Sequence, residues 1–197
     1  MEVIGDNVWW LLVPLAYFGG TFPSAQLVGR LAGHDPTKEG SGNPGASNVY
    51  RLAGKFPGAA VLVLDVLKGT IPTLIGLIGG GQQLAVAAGT AAIIGHVFPI
   101  QRRLRGGKGV ATFGGMTIAA WPLLALVGIA TWMAVMRLSK RASVGSMVGV
   151  VAVTVGVALT RGLGWEALVA AALCVLIIAR HRSNIQRLLH REEVIVS

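Results

Sequence analysis

Acidic residues are scarce in this chain, with eight Asp and Glu among 197 residues. None are paired at a spacing that suggests two catalytic carboxylates or an oxygen cage for a hard cation. Cys174 is the only cysteine. A single cysteine excludes an internal disulfide, and its place in an apolar run marks it as small buried filler. HExxH, zinc-spaced Cys/His clusters and a GxSxG nucleophile elbow are all missing from the sequence. The residues therefore give no metal site and call for no cofactor, and covalent catalysis has little support. Charged residues of every kind reach only 13%, against about 25% in soluble domains.

In their place the chain is 53% hydrophobic, and apolar runs near membrane-spanning length recur along it. This pattern reads as an all-α polytopic membrane protein, one domain over residues 1–197. Seven apolar segments stand out: Trp9–Leu31, Phe56–Gly80, Leu84–Ile100, Val110–Ala120, Pro122–Met136, Ser146–Thr160 and Trp165–Ala179. Only Glu2 and Asp6 are charged ahead of the first, so it lacks the basic start of a secretory signal and reads as a transmembrane helix. Two alternatives compete over residues 110–136, one long tilted helix or two short segments broken at Trp121-Pro122. The short pair fits as thin-membrane helices, a kinked pair or a re-entrant hairpin.

The net charge of +9 invites a nucleic-acid partner. Its distribution assigns it to topology instead. All basic residues except Lys68 and Arg161 fall in the first, third and fifth connections, at the adjoining helix ends, or in the C-terminal tail. Cytoplasmic loops are enriched in Lys and Arg, so the N-terminus is expected outside and the C-terminus in the cytoplasm. Only the broken reading of residues 110–136 keeps that alternation. The 28 glycines suit close helix packing in lipid. Asp65 and Lys68, three apart inside the second segment, are expected to pair.

Three polar stretches fall on the cytoplasmic side of this topology. The first, KEGSGNPGASNVYR, carries glycines at 40, 42 and 45 that let backbone N–H groups approach a ligand, with Ser41, Asn43, Ser47 and Asn48 as neutral donors. Arg51 adds a planar fork suited to phosphate, and a following helix would present an N-terminus that favours an anion. An ordinary turn-rich loop fits glycine, serine and asparagine equally well. The second, GHVFPIQRRLRGGKGVAT, holds Gly106, Gly107 and Lys108 in a fragment like a nucleotide-phosphate loop, but Val110 and Ala111 follow where Ser or Thr would complete it. A basic cytoplasmic turn competes with that reading, and His96 reads as a hydrogen-bonded structural histidine. The third, ARHRSNIQRLLHREE, places His181 and Asn184 on one helix face among arginines. A basic amphipathic tail held by anionic lipid competes here. Ser143 and Ser146, in the fifth connection, are helix caps or ligand donors. Fixed cations, glycine N–H groups and neutral donors on one side suit a site for more than one phosphate, beside an apolar body that suits a lipid chain.

The motifs GSGNPGASNVYR, DVLKG, GHVFPIQRRLRGGKGVAT and RHRSNIQRLL occur in this order over nearly the whole chain. Together they resemble the bacterial acyl-phosphate-dependent glycerol-3-phosphate acyltransferases of the PlsY type. The resemblance implies a seven-helix enzyme of the bacterial cytoplasmic membrane, with its site facing the cytoplasm. Such an enzyme transfers a fatty acyl group from acyl phosphate to the sn-1 hydroxyl of glycerol 3-phosphate, the first acylation toward phosphatidic acid. It implies glycerol 3-phosphate, acyl phosphate and membrane lipids as partners; nothing in the sequence names a protein partner. Carried over by motif, Ser41 and the backbone of Gly42, Asn43 and Gly45 form part of an acyl-phosphate cradle. Ser47, Arg51, Lys108, Ser143 and Ser146 become ligands for phosphates and glycerol hydroxyls, and His181 and Asn184 further polar contacts. His181 or a substrate phosphate is the base. The chain departs from the family at Ser47, where Thr is frequent, and at Leu104, where Phe is common. It also has Arg191 where Gly often stands, with Glu193 in the acidic position; on that departure Glu193 is not counted as a site residue. A small transporter of an anionic metabolite is the non-enzyme alternative, although no inverted repeat is visible.

Overall fold

The computed structural model describes residues 6–195; Glu2 and the two C-terminal residues lie outside them. Every regular element among the described residues is a helix. A 3₁₀ turn (Asp6–Leu11) leads into α1 (Leu12–Gly20) and α2 (Ser24–Leu31), followed by α3 (Ala46–Ala53) and α4 (Lys55–Val97). After a short 3₁₀ turn (Ile100–Arg102) come α5 (Val110–Ala120), α6 (Pro122–Ser139), α7 (Ala142–Arg161), α8 (Trp165–Arg180) and α9 (Arg182–Leu189). Among the described residues, four helical stretches are long and apolar enough to cross a membrane: Val8–Leu31, Lys55–Arg102, Pro122–Ser139 and Ala142–Arg161. The pair α8 and α9, bent by 56°, makes a fifth if taken as one span. Large side chains such as Phe56, Ile78, Leu123 and Leu168 are exposed, as a lipid-facing surface requires.

The chain divides into two compact units, Met1–Ala120 and Trp121–Ser197. In the first, α4 is two arms rather than one rod. At 43 residues a straight helix would run roughly 65 Å, about twice the hydrocarbon core. Gly80 and Gly81 leave helical geometry, Gly81 with φ +69°. A Cβ on Gly76 would lie 2.9 Å from the Ala85 Cα. Nine residues of straight helix would separate those positions by roughly 13.5 Å, so the arms fold back on each other. The expected break between Phe56–Gly80 and Leu84–Ile100 falls at this hairpin. Glycine also sets the contact between α4 and α5: a side chain on Gly69 would strike the Thr112 carbonyl, and one on Gly115 the Val66 carbonyl. Small side chains are what allow such approach in lipid. Ala25, Val49 and Val61 form a buried cluster that seats α2 and α3 against α4.

The first apolar segment is not continuous. It breaks between Gly20 and Ser24, where Thr21 and Ser24 are buried and engaged by polar partners described below. In the second unit Trp121 is non-helical (φ −143°, ψ 68°) and Pro122 opens α6, so the expected break at Trp121-Pro122 is present. Proline suits that first position because its missing N–H would be unpaired there in any case. α6 and α7 pack through Gly145, whose Cβ position lies 2.9 Å from the Trp132 carbonyl, and through Gly149, facing the Gly128 carbonyl at 3.2 Å.

Candidate functional site

In the first unit, residues 34–45 form a loop that its own polar groups hold in shape. The Asp35 carboxylate accepts from the Thr37 N–H (3.1 Å) and hydroxyl (2.6 Å). Glu39 accepts from the Asp35 N–H (2.7 Å) and meets His34 Nδ1 at 2.8 Å. These bonds hold both carboxyls below the usual range, through the Thr37 hydroxyl at Asp35 and the Asp35 N–H at Glu39. Asn48 reaches back from α3 and makes three bonds. Its Oδ1 accepts the Ser41 N–H at 3.0 Å, and its Nδ2 donates to the carbonyls of Pro36 (3.0 Å) and Glu39 (3.1 Å). Gly40, with φ +60°, sits where any Cβ would collide with Asn48 Oδ1. Asn48 is buried, and these three bonds shape the loop.

The backbone donors expected to hold phosphate are largely used inside the loop. Ser41 N–H goes to Asn48, Gly42 N–H to the Glu39 carbonyl (3.1 Å) and Gly45 N–H to the Asn43 carbonyl (3.0 Å). The surface that remains is side-chain chemistry. Ser41 and Ser47 are exposed, Asn43 is half-buried, and Ser47 and Arg51 lie one turn apart on the exposed side of α3. The helix that follows the loop does form, with Gly45 as its extended N-cap residue, so an N-terminus stands beside these groups.

The Gly106–Lys108 segment closes on the C-terminus of α4. Gly106 N–H donates to the Val97 carbonyl and Gly107 N–H to the His96 carbonyl, both at 3.1 Å. These glycines therefore cap a helix end and allow close approach; their N–H groups serve the loop. The preceding residues are tied down separately. Tyr17 OH donates to the Phe98 carbonyl (2.9 Å), Gln101 to Thr21 Oγ1 (3.1 Å), and Arg102 to Gln26 Oε1 (2.9 Å) and the Thr21 carbonyl (3.0 Å). Arg103, Leu104 and Arg105 are exposed between the two anchors, and Lys108 is half-buried. Asp65 and Lys68 do pair, at 2.7 Å.

The second unit builds its polar cluster from the buried Ser143, Asn184 and Glu193 and the half-buried Arg187. Glu193 Oε1 accepts from Ser143 Oγ and Asn184 Nδ2, each at 2.6 Å, and Oε2 accepts from Arg187 Nε at 2.8 Å. Burial pushes the Glu193 carboxyl up, but the bonds from Ser143, Asn184 and Arg187 outweigh it and hold the group below its ordinary range. Glu193, not counted as a site residue above, gathers two residues that were, Ser143 and Asn184. The reason lies at Arg191, which adopts φ +61°. The Glu192 N–H reaches the Arg187 carbonyl (2.7 Å), as in a helix end closed by a left-handed residue, and Glu193 is folded back onto α9. Glycine makes this turn easily; Arg191 makes the same turn at a cost. Ser143 and Ser146 are not caps, as α7 has no side-chain cap bond. Ser146 donates to the Ala142 carbonyl (2.8 Å) and receives Trp132 Nε1 (3.3 Å), which is a packing role. His181 is buried at the α8–α9 junction, with Nδ1 2.8 Å from the Ile177 carbonyl. A carbonyl only accepts, so Nδ1 carries the proton in this bond.

Glu193, and Ser24 and His96 as further neighbours of Asp65, are what sequence reasoning missed. Ser24 had one available signal, a hydroxyl directly after Pro23 inside an apolar run. Spans broken by polar turns, with hydroxyls, amides and fixed cations gathered in those turns, define an α-helical membrane protein whose polar chemistry sits in its turns. The family model for glycerol-3-phosphate acyltransferase matches residues 10–191. The glycerol-3-phosphate acyltransferase of Methylococcus capsulatus is 40% identical over 189 residues, covering 94% of this chain and 95% of that one. Its namesake in Halorhodospira halophila is 42% identical over 188 residues, covering 93% and 94%. The crystal structure of PlsY (YgiH), an integral membrane glycerol 3-phosphate acyltransferase, in its glycerol 3-phosphate form matches with a TM-score of 0.92 at 33% identity over 96% of each chain. Its lysophosphatidic acid form matches at 0.89 and 32%, again over 96% of each. The chain belongs to the glycerol-3-phosphate acyltransferase family.

Proposed function

We infer that this chain transfers a fatty acyl group from acyl phosphate to the sn-1 hydroxyl of glycerol 3-phosphate, releasing 1-acyl-glycerol 3-phosphate and inorganic phosphate. The observation that carries this reading is the match over 96% of each chain to a protein crystallised in glycerol 3-phosphate and lysophosphatidic acid forms. The four motifs that resemble the acyl-phosphate-dependent enzymes support the choice of donor. Residues 1–197 act as a single acyltransferase domain in the bacterial cytoplasmic membrane. It crosses seven times, with the N-terminus outside, the C-terminus inside and the chemistry on the cytoplasmic face. The split of α4 into two arms and the concentration of basic residues in alternate connections support that count and orientation.

The chemistry asks little of the protein beyond placement. Acyl phosphate is a mixed anhydride with a good leaving group. The sn-1 oxygen attacks the acyl carbon, the bond from that carbon to the phosphate oxygen breaks, and the hydroxyl proton leaves on the released phosphate. Holding two anions side by side is the main task, and fixed cations and hydroxyls meet it. In this reading Arg51 and Lys108 offset the repulsion between phosphates, and the hydroxyls of Ser41 and Ser47 and the amide of Asn43 contact oxygens. Gly42, Gly45, Gly106 and Gly107 allow the approach, while Asn48 keeps the loop in shape. In the second unit Asn184 and Ser143 are set by Glu193, and His181 is a further polar contact. A phosphate oxygen of the donor is the proton acceptor; loss of turnover in His181→Gln with both substrate affinities intact would move that role to histidine.

The test is conversion of labelled glycerol 3-phosphate, with palmitoyl phosphate in mixed micelles, to a 1-acyl product by purified protein. Product formation is expected. Counterflow of labelled glycerol 3-phosphate in proteoliposomes without product would establish the transporter instead.

A further inference from the structure

A structural ion pair inside a membrane span would be complete with Asp65 and Lys68, whose side chains are 3% and 7% exposed. The cluster does not stop there. Ser24 Oγ donates to the same carboxylate oxygen, Asp65 Oδ1, at 2.5 Å, and Lys68 Nζ also donates to Ser24 at 2.9 Å. His96 Nδ1 lies 3.6 Å from that oxygen. This is beyond hydrogen-bond reach, but the ring nitrogen faces the buried carboxylate at close range. α2 and both arms of α4 thus converge on one oxygen.

His96 stands in the last turn of α4, and its other edge touches the loop that ends in Lys108. Gly107 lies so close that any Cβ there would strike His96 Nε2. The His96 carbonyl also receives the Gly107 N–H at 3.1 Å. Ring and carbonyl of one residue therefore hold the residue immediately before Lys108. Residues 98–102 have separate anchors on Tyr17, Thr21 and Gln26. At the other end of this segment, Gly107 meets His96 and Gly106 the neighbouring Val97 carbonyl.

We propose that Asp65 and His96 are positioning residues for Lys108: Asp65 sets the His96 ring, and His96 sets Gly107 and with it the direction in which Lys108 meets a phosphate. The proposal rests on Lys108 contacting glycerol 3-phosphate, as read above. It accounts for a buried carboxylate held by more partners than one lysine, and for a glycine at 107 that leaves the ring no clearance.

The experiment is calorimetric titration of glycerol 3-phosphate into purified, lipid-supplemented protein carrying Asp65→Asn, His96→Gln, Lys108→Ala and the two doubles with Lys108→Ala. Each single change is expected to weaken affinity about tenfold or more, and each double to be no weaker than Lys108→Ala alone, because contacting pairs couple where distant pairs multiply. Multiplying losses in the doubles, or unchanged affinity in both Asp65→Asn and His96→Gln, overturns the positioning role. Unchanged affinity in Lys108→Ala overturns the phosphate reading of Lys108 itself, and the proposal with it. If a buried variant fails to fold, Gly107→Ala, whose methyl displaces the ring from the loop side, replaces it in the same cycle and is read by the same two outcomes.

Discussion

Asn48 in the first unit and Glu193 in the second each gather three hydrogen bonds, but they organise different things. Asn48 is a neutral amide bonded to the backbone of Pro36, Glu39 and Ser41, all within twelve residues of it. Glu193 is a carboxylate bonded to the side chains of Ser143, Asn184 and Arg187, the first of them fifty residues away. The amide shapes a loop and leaves Ser41 and Ser47 exposed; the carboxylate fixes the rotamers of other side chains in a buried cluster. A loop shaped locally can fail locally. A carboxylate that joins α7 to α9 stabilises the unit as well as its chemistry.

The sharpest break in that comparison comes from Glu193→Ala. It leaves three donors facing an empty acceptor site, and hydrogen bonds to charged groups contribute roughly 1.5–3 kcal/mol each. We expect a loss of about 3 kcal/mol in thermal unfolding, together with most of the activity. Glu193→Gln separates charge from shape. The folded carboxyl titrates below its ordinary 4.5, so its ionisation favours the folded state. That contribution is complete above 4.5 and fades as pH falls through the folded pKa. The stability gap between wild type and Glu193→Gln should therefore be widest at neutral pH and close on acidification.

Asn48→Ala should cost less, about 2 kcal/mol, because its three bonds are between neutral groups, which contribute roughly 0.5–1.5 kcal/mol each. Its activity loss should appear mainly in KM, since the exposed hydroxyls remain but are no longer held. A kcat loss of the size seen in Glu193→Ala would show that Asn48 does more than shape the loop. The smallest effect is expected from Arg191→Gly. A left-handed non-glycine residue costs roughly 1–2 kcal/mol, offset in part by the greater freedom of glycine when unfolded. A melting temperature a few degrees higher with activity unchanged is the expected result; a lower one would mean that the Arg191 side chain makes a contact of its own.

The same contrast explains what could be read from the residues. The Gly80–Gly81 turn, the Trp121-Pro122 break and the Asp65–Lys68 pair are local events, and the residues that cause them are adjacent or one turn apart. The loop around Asn48 was visible through its glycines, yet which N–H groups it uses internally depends on Asn48 arriving from the next helix. The break after Gly20 was hidden because Val8–Leu31 is apolar enough to read as one span; Arg102 and Asp65, far along the chain, supply the partners that stabilise it. The fold of Glu193 back onto α9 is not legible from the residues, because Arg191 stands at a glycine position. The backbone tolerates that exchange, and no sequence pattern states the cost.

The central claim is tested most directly by phosphate release from palmitoyl phosphate, measured with and without glycerol 3-phosphate, for wild type and Lys108→Ala. The account predicts acceptor-dependent release by the wild type, one phosphate for each 1-acyl-glycerol 3-phosphate formed, and a drop of about a hundredfold or more in Lys108→Ala as its charge is removed from two phosphates. Release that ignores the acceptor, or a Lys108→Ala protein as active as wild type, would contradict it.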